Sequence, residues 1–222
     1  MHHFQYWSSL NFSGQDFLLL LACYGIGCCT AGYYWVRWRT GLDLRLLGSG
    51  NLGARNVGRL AGPSGFLVTL IIDASKGALA VWLANFLGAS SEMVVASIVA
   101  VVAGHNWPVQ LRFHGGKGIA TSLGALLAFH GFIVVLLVAL FIPIIALLRN
   151  FTLSGLSAFA LGPLVLFFCG ASNDQIATIS FIAIMVLISH RKNIREEISR
   201  LFSTTPVKDS PNQQLEEDKN ER

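Results

Sequence analysis

The residues best equipped for chemistry are His114-Gly115-Gly116-Lys117-Gly118-Ile119-Ala120-Thr121, three glycines and a lysine set between two long apolar runs. Residues of these types at this spacing can make an anion-binding turn. Gly115, Gly116 and Gly118 allow backbone N–H groups to approach a ligand closely, Lys117 adds a charge, and a helix starting at Ile119 would aim its N-terminus at the same anion. Phosphate is the natural guest. The Walker A pattern is not met, because Gly118 stands where that pattern needs Ser or Thr after Gly-Lys. Taken alone, the same glycines would also serve as a plain turn between two membrane helices.

A second glycine-rich stretch runs Gly48-Ser49-Gly50-Asn51-Leu52-Gly53-Ala54-Arg55-Asn56, with Arg59 close behind. Its interleaved hydroxyl, amide and guanidinium groups suit an oxygen-rich anion; the alternative is a flexible basic connector. Asp73 and Lys76, inside an apolar run, share a helix face at i, i+3. Charges at membrane depth are costly and point to function or to a structural ion pair. His105 ends another run just before Asn106-Trp107-Pro108, where the proline stops the helix, and His190 with Asn193 stands at the end of the last run. His2, His3, His114 and His130 have no carboxylate or cysteine at ligand spacing, so no metal site is expected, and no cofactor is expected either.

The missing patterns narrow the chemistry further. There is no Gly-x-Ser-x-Gly elbow for a serine hydrolase, no histidine followed five positions later by aspartate as in thioester-dependent glycerolipid acyltransferases, and no aspartate cluster to hold Mg²⁺.

These residues belong to a chain of 222 residues that is 53% hydrophobic and 13% charged, with mean hydropathy +0.57. That is too apolar for a soluble domain, and an all-α integral membrane protein is expected. Cys23, Cys28, Cys29 and Cys169 sit in apolar runs without paired spacing and read as packing residues. Leu18 to Val36 is the first run able to cross the roughly 30 Å hydrocarbon layer. It lacks a basic residue before it and reads as a retained span rather than a cleaved leader. Further runs cover about 66–88, 92–107, 119–148, 153–170 and 174–190.

The basic residues set the topology. With the N-terminus outside, Arg37 to Arg59 and Arg112 to Lys117 fall inside. The run 119–148 is too long for one upright span. Folding it into two short or re-entrant legs hinged near Phe129-His130-Gly131 brings Arg149 and Arg191-Lys192 inside as well. The expectation is about seven transmembrane or partly spanning helices, N-terminus outside and C-terminus cytoplasmic. Residues 1–202 form a single membrane domain in this reading, and the polar tail 203–222 is disordered. Every glycine-rich or basic cluster then lies on one face.

In order, these clusters resemble the motifs of the bacterial acyl-phosphate:glycerol-3-phosphate acyltransferases. Gly48 to Gly53 with Asn56, Arg59, Asp73 and Lys76-Gly77 resembles their first motif region, and Gly104-His105, Pro108-Val109 and Phe113 through Thr121 the second. Thr152-Leu153-Ser154 resembles a short serine-rich turn, and His190 through Arg195 the start of the third. The resemblance implies a seven-helix inner-membrane enzyme that moves a fatty acyl group from acyl phosphate to the 1-hydroxyl of glycerol 3-phosphate. It implies Ser49, Lys117, His190 and Asn193 as catalytic. It also implies substrate contacts by Gly48, Gly50, Asn51, Gly53, Asn56, Arg59, Asp73, Lys76, His105, Gly115, Gly116, Gly118, Thr121, Thr152 and Ser154.

The partners implied are the two substrates and membrane lipids, with no nucleic acid and a monomeric chain. Arg55, where the family carries a small residue, and Glu196-Glu197 in the third motif depart from the pattern. A small membrane transporter or flippase for a phosphate-bearing or lipid anion is the alternative class, and would require polar residues on both sides of the membrane and along a path between them.

Overall fold

The computed structural model describes residues 13–202, so the tail 203–222 lies outside the described residues. Among these there are eight α-helices, two 3-10 turns and no strand. The chain up to Ser189 forms one compact unit, and the chain from His190 a second.

Helix α1 (Gly14–Cys28) starts at a capping box in which Ser13 and Asp16 satisfy each other's backbone N–H. The single first span expected over Leu18 to Val36 is in fact broken at Cys29-Thr30, and α2 (Ala31–Thr40) follows. A break inside a membrane leaves carbonyls that lipid cannot satisfy. Here side chains from later in the chain take them: Gln110 donates to the Cys28 carbonyl, and Lys76 Nζ to that of Cys29 at 2.9 Å.

Helix α3 (Ala54–Phe86) starts earlier than the apolar run suggested, taking Asn56 and Arg59 out of the expected loop and onto a helical turn. It breaks at Gly62, with φ 74°, because Pro63 lacks an N–H and disfavours helical backbone before it. Helix α4 (Ser91–Asn106) is capped by the Ser90 hydroxyl and ends before Pro108. Helix α5 (Ile119–Leu148) departs from helical geometry at His130 (φ −162°, ψ 96°), within the expected hinge. Helices α6 (Phe151–Phe168) and α7 (Asn173–Ser189) complete the first unit.

Contacts along α3 show what the His130 break does. Thr121 lies against Gly77 in mid-α3, His130 shares a cavity with Asn85 near the α3 C-terminus, and Thr152 touches Arg55 at its N-terminus. The chain therefore reverses at His130. The first leg, 119–129, is about 16 Å long, roughly half the hydrocarbon thickness. Five helical segments, Gly14–Thr40, Ala54–Phe86, Ser91–Leu111, Ile119–Leu148 and Phe151–Phe168, are long and apolar enough to cross a membrane. With α5 taken as two legs and α7 added, seven segments span or partly span it.

Helix α3 packs chiefly on α5, α1 on α4, and α6 on both α5 and α7. Small residues set the closest approaches: a Cβ on Gly77 would collide with the Thr121 carbonyl, and one on Gly124 with that of Ala74. Leu127, Val135, Val138, Ile142, Phe167 and Phe168 remain exposed and form an apolar surface suited to lipid. The second unit opens at His190, whose carbonyl accepts from Ile194 N, and carries α8 (Arg191–Phe202) with its mixed charges.

Candidate active site

The 48–53 loop is built around one buried amide. Asn56, 1% exposed, accepts from Ser49 N through Oδ1 and donates through Nδ2 to the carbonyls of Leu47 and Asn51, each at 3.0 Å. Gly48 and Gly50 take φ 56° and 67°, values that suit glycine, and let the chain wrap this side chain. The wrapping leaves Ser49 and Arg59 exposed at the rim and the Asn51 amide facing inward. Asn56 is thus bonded on every side by the protein.

The 114–118 turn hangs from the end of α4. Gly115 N donates to the Asn106 carbonyl (3.1 Å) and Gly116 N to that of His105 (3.0 Å). Any side chain on Gly115 would strike the Asn106 and His105 carbonyls, and one on Gly116 would strike the His105 imidazole. Gly118, at φ 82°, then caps α5, and half-buried Lys117 stands immediately before that helix start.

Beneath the turn lies a buried polar cluster. Lys76 Nζ is 2.9 Å from Asp73 Oδ1, 2.7 Å from His105 Nδ1 and 2.9 Å from the Cys29 carbonyl, while Asp73 Oδ1 is 3.5 Å from His105 Nδ1. All three side chains are at most 5% exposed. Charge this deep is tolerated only when paired and hydrogen-bonded, and the cluster joins α1, α3 and α4 at one point.

The two loops sit side by side. Leu52 of the first and Leu111, just before the second, share an apolar cluster with Val36, Leu44 and Val57, and Arg45 Nη1 donates to the Leu111 carbonyl at 3.3 Å. Asp43 fixes Arg45 through hydrogen bonds of 2.6 to 3.2 Å. That guanidinium holds the Asp43 carboxyl down at about 2 from its ordinary 3.8. Sequence reasoning missed this pair, although Asp-x-Arg after Gly41 is an Asx-turn signal. It also missed Gln110, for which no sequence signal existed.

Buried polar atoms without a hydrogen-bond partner among the described residues collect around the loops. They include Asn51 Oδ1, Thr69 Oγ1, Asn106 Oδ1, Thr121 Oγ1 and Ser122 Oγ. Unsatisfied groups at such density require an explanation, and a bound ligand or water supplies one.

Of the other expected residues, Thr152 accepts from Arg55 Nη1 at 3.3 Å while the Arg55 guanidinium lies 5.1 Å over Phe151. Ser154 bonds back to the Asn150 carbonyl inside its own helix. Gly53 precedes the first turn of α3. His190 and Asn193 belong to the second unit.

The family profile described as Glycerol-3-phosphate acyltransferase matches residues 17–200. The chain is 41% identical over 186 residues to glycerol-3-phosphate acyltransferase 1 of Desulfitobacterium hafniense (strain Y51), covering 83% of this chain and 92% of that one. It is also 41% identical over 184 residues to the glycerol-3-phosphate acyltransferase of Parasynechococcus marenigrum (strain WH8102), covering 82% and 86%.

Among solved structures, it superimposes on PlsY (YgiH), an integral membrane glycerol 3-phosphate acyltransferase, in its glycerol 3-phosphate form. The TM-score is 0.75 and the identity 29%, over 84% of this chain and 93% of that one. The lysophosphatidic acid form of the same protein gives a TM-score of 0.73 at 26% identity. The chain belongs to the glycerol-3-phosphate acyltransferase family.

Proposed function

We propose that this chain transfers a fatty acyl group from acyl phosphate to the 1-hydroxyl of sn-glycerol 3-phosphate, at the cytoplasmic face of a bacterial inner membrane. Lysophosphatidic acid and phosphate are the products, and the step belongs to phospholipid synthesis. Relatives named for glycerol-3-phosphate acylation, and a solved neighbour in forms titled for glycerol 3-phosphate and lysophosphatidic acid, support acceptor and product. The observation that carries the reading is the docking of two glycine loops side by side, with Asn51 Oδ1 and Thr121 Oγ1 buried and unpartnered. Two loops of this kind match a reaction with two phosphate-bearing substrates.

The Lys117 turn, with Gly115, Gly116, Gly118 and Thr121, holds one phosphate. Ser49, Asn51 and Arg59, on the backbone shaped by Gly48, Gly50 and Gly53, hold the other phosphate and the glycerol hydroxyls. Asn56, hydrogen-bonded within the protein, and Asp73 and Lys76, paired as ions, support the loops from behind. Thr152 and Ser154 shape the neighbouring end of α6. For His190 and Asn193, placed on the attacking hydroxyl or its proton, the support is the resemblance of that segment. An acyl phosphate is a mixed anhydride and already activated. The hydroxyl oxygen attacks the acyl carbon, the bond from that carbon to the phosphate oxygen breaks, and the hydroxyl proton ends on a phosphate oxygen. The protein's task is to hold two anions together and orient the hydroxyl.

The test uses the protein purified in detergent with palmitoyl phosphate and labelled glycerol 3-phosphate. Labelled lysophosphatidic acid is expected, and Lys117→Ala should abolish its formation while leaving a folded protein. Turnover with a thioester and none with acyl phosphate would overturn the donor; full activity of Lys117→Ala would overturn the role of the turn.

A further inference from the structure

We propose that His105 supplies a fixed N–H donor, from Nε2, to the anion held by the Lys117 turn, and that Asp73 and Lys76 determine which ring nitrogen carries that proton. The proposal rests on the reading of the turn as a phosphate site. An ammonium group has three N–H donors and no acceptor. Lys76 Nζ has three acceptors around it: the Cys29 carbonyl at 2.9 Å, Asp73 Oδ1 at 2.9 Å and His105 Nδ1 at 2.7 Å. The contact with Nδ1 is therefore made by a lysine proton to the ring lone pair. A proton on Nδ1 aimed at Asp73 Oδ1, which is farther at 3.5 Å, would place two donors head to head. The imidazole is left neutral with its single proton on Nε2.

That nitrogen faces the turn. It is the atom that a Cβ on Gly116 would strike first, and Gly116 N is tied to the carbonyl of the same histidine. Glycine at this position keeps the way from Nε2 to the turn clear of side chain. His105 is 3% exposed, so its donor acts in a site from which most water is excluded, where a hydrogen bond to an anion is strengthened. The buried ion pair thereby gains a use that its depth alone does not explain. It fixes the direction of a donor that faces the turn.

Asparagine and glutamine separate the two ring nitrogens. His105→Asn keeps an acceptor near the Nδ1 position for Lys76 and removes the distal donor; His105→Gln places an amide N–H near the Nε2 position. The probe is inorganic phosphate as a competitive inhibitor against palmitoyl phosphate, the substrate whose phosphate falls to the Lys117 turn, measured beside the thermal midpoint in detergent. His105→Asn should weaken phosphate binding about tenfold with an unchanged midpoint, and His105→Gln should stay within about threefold of the parent.

The second measurement needs no variant to fold well: ¹⁵N NMR of the histidine rings in the parent protein should show the His105 proton on Nε2, with a shift on adding phosphate. Parent-like phosphate binding by His105→Asn, or a proton found on Nδ1, overturns the proposal. Lys117→Ala serves as the control. Parent-like phosphate binding by that variant would defeat the reading of the turn itself, whereas its loss together with intact binding by His105→Asn would defeat the role of His105 alone.

Discussion

Asn56 carries three hydrogen bonds that no other side chain at its position could make together: one accepted from Ser49 N and two donated to Leu47 and Asn51. Asn56→Asp retains the acceptor and sets a carboxylate against two carbonyls. It should destabilise the protein by about 1–3 kcal/mol and lower transfer more than Ser49→Ala does, read from the thermal midpoint and from labelled product. Arg55 is the opposite case, an exposed side chain whose bond to Thr152 ties the start of α3 to the start of α6. An exposed contact of this length contributes little to stability, so Arg55→Thr should keep the midpoint within about 0.5 kcal/mol. A large loss of activity there, at constant midpoint, would show that Arg55 acts on a substrate.

Asp43 gives the pH dependence. Its carboxyl titrates lower in the folded chain than its ordinary 3.8, so the stabilisation is complete above about pH 4 and is lost as the pH falls through about 2. Asp43→Asn should remove that slope from a plot of midpoint against pH between 5 and 2. Residue types at the site were legible in the sequence because glycine, lysine and buried charge are rare between apolar runs. Bonding roles were not: Asn56 looked like one more loop ligand, and only the fold shows its amide turned inward.

At the scale of elements, α3 and α5 meet through Ala74 and Gly77 on one side and Thr121 and Gly124 on the other, all without room for a Cβ at the glycines. The same first turn of α5 follows the Lys117 turn, so the packing seam and the site share a backbone. Gly124→Ala must push α5 away from α3. Overpacking of this kind costs about 1–3 kcal/mol, and here the displacement reaches the turn a few residues away. The expected result is a loss of transfer larger than the fall in the thermal midpoint explains, together with weaker inhibition by inorganic phosphate. An unaltered inhibition constant would show that the turn is positioned by α4 alone. The reversal at His130 was legible from the length of the apolar run and the basic residue after it. The break at Gly62 had a visible Gly-Pro signal. The break at Cys29-Thr30 had none, since what permits it is the reach of Lys76 and Gln110 from helices far along the chain.

For the whole molecule, the reversal in α5 fixes which segments share a side. Arg55 contacts Phe151 and Thr152, so the starts of α3 and α6 lie together with both glycine loops. Asn85, Ser91, His130, Ser172 and Asp174 line a cavity of about 250 Å³ at the other end. Arg45, Arg55, Arg59, Arg112, Lys117 and Arg149 all belong to the first group, and no lysine or arginine lines the second. Lysine and arginine are retained on the cytoplasmic side, and this asymmetry supports the proposed cytoplasmic placement of the glycine loops.

In a background with the four cysteines replaced by serine, Leu42→Cys and Leu148→Cys should react with a membrane-impermeant maleimide only after cells are permeabilised. Ser172→Cys should react in intact cells. Were α5 a single straight crossing, Leu42→Cys and Leu148→Cys would label from opposite sides, which the Arg55–Thr152 contact forbids. The inverse pattern at all three positions would leave the fold intact but put the anion site outside the cell, away from a supply of activated acyl groups, and would overturn the proposed orientation.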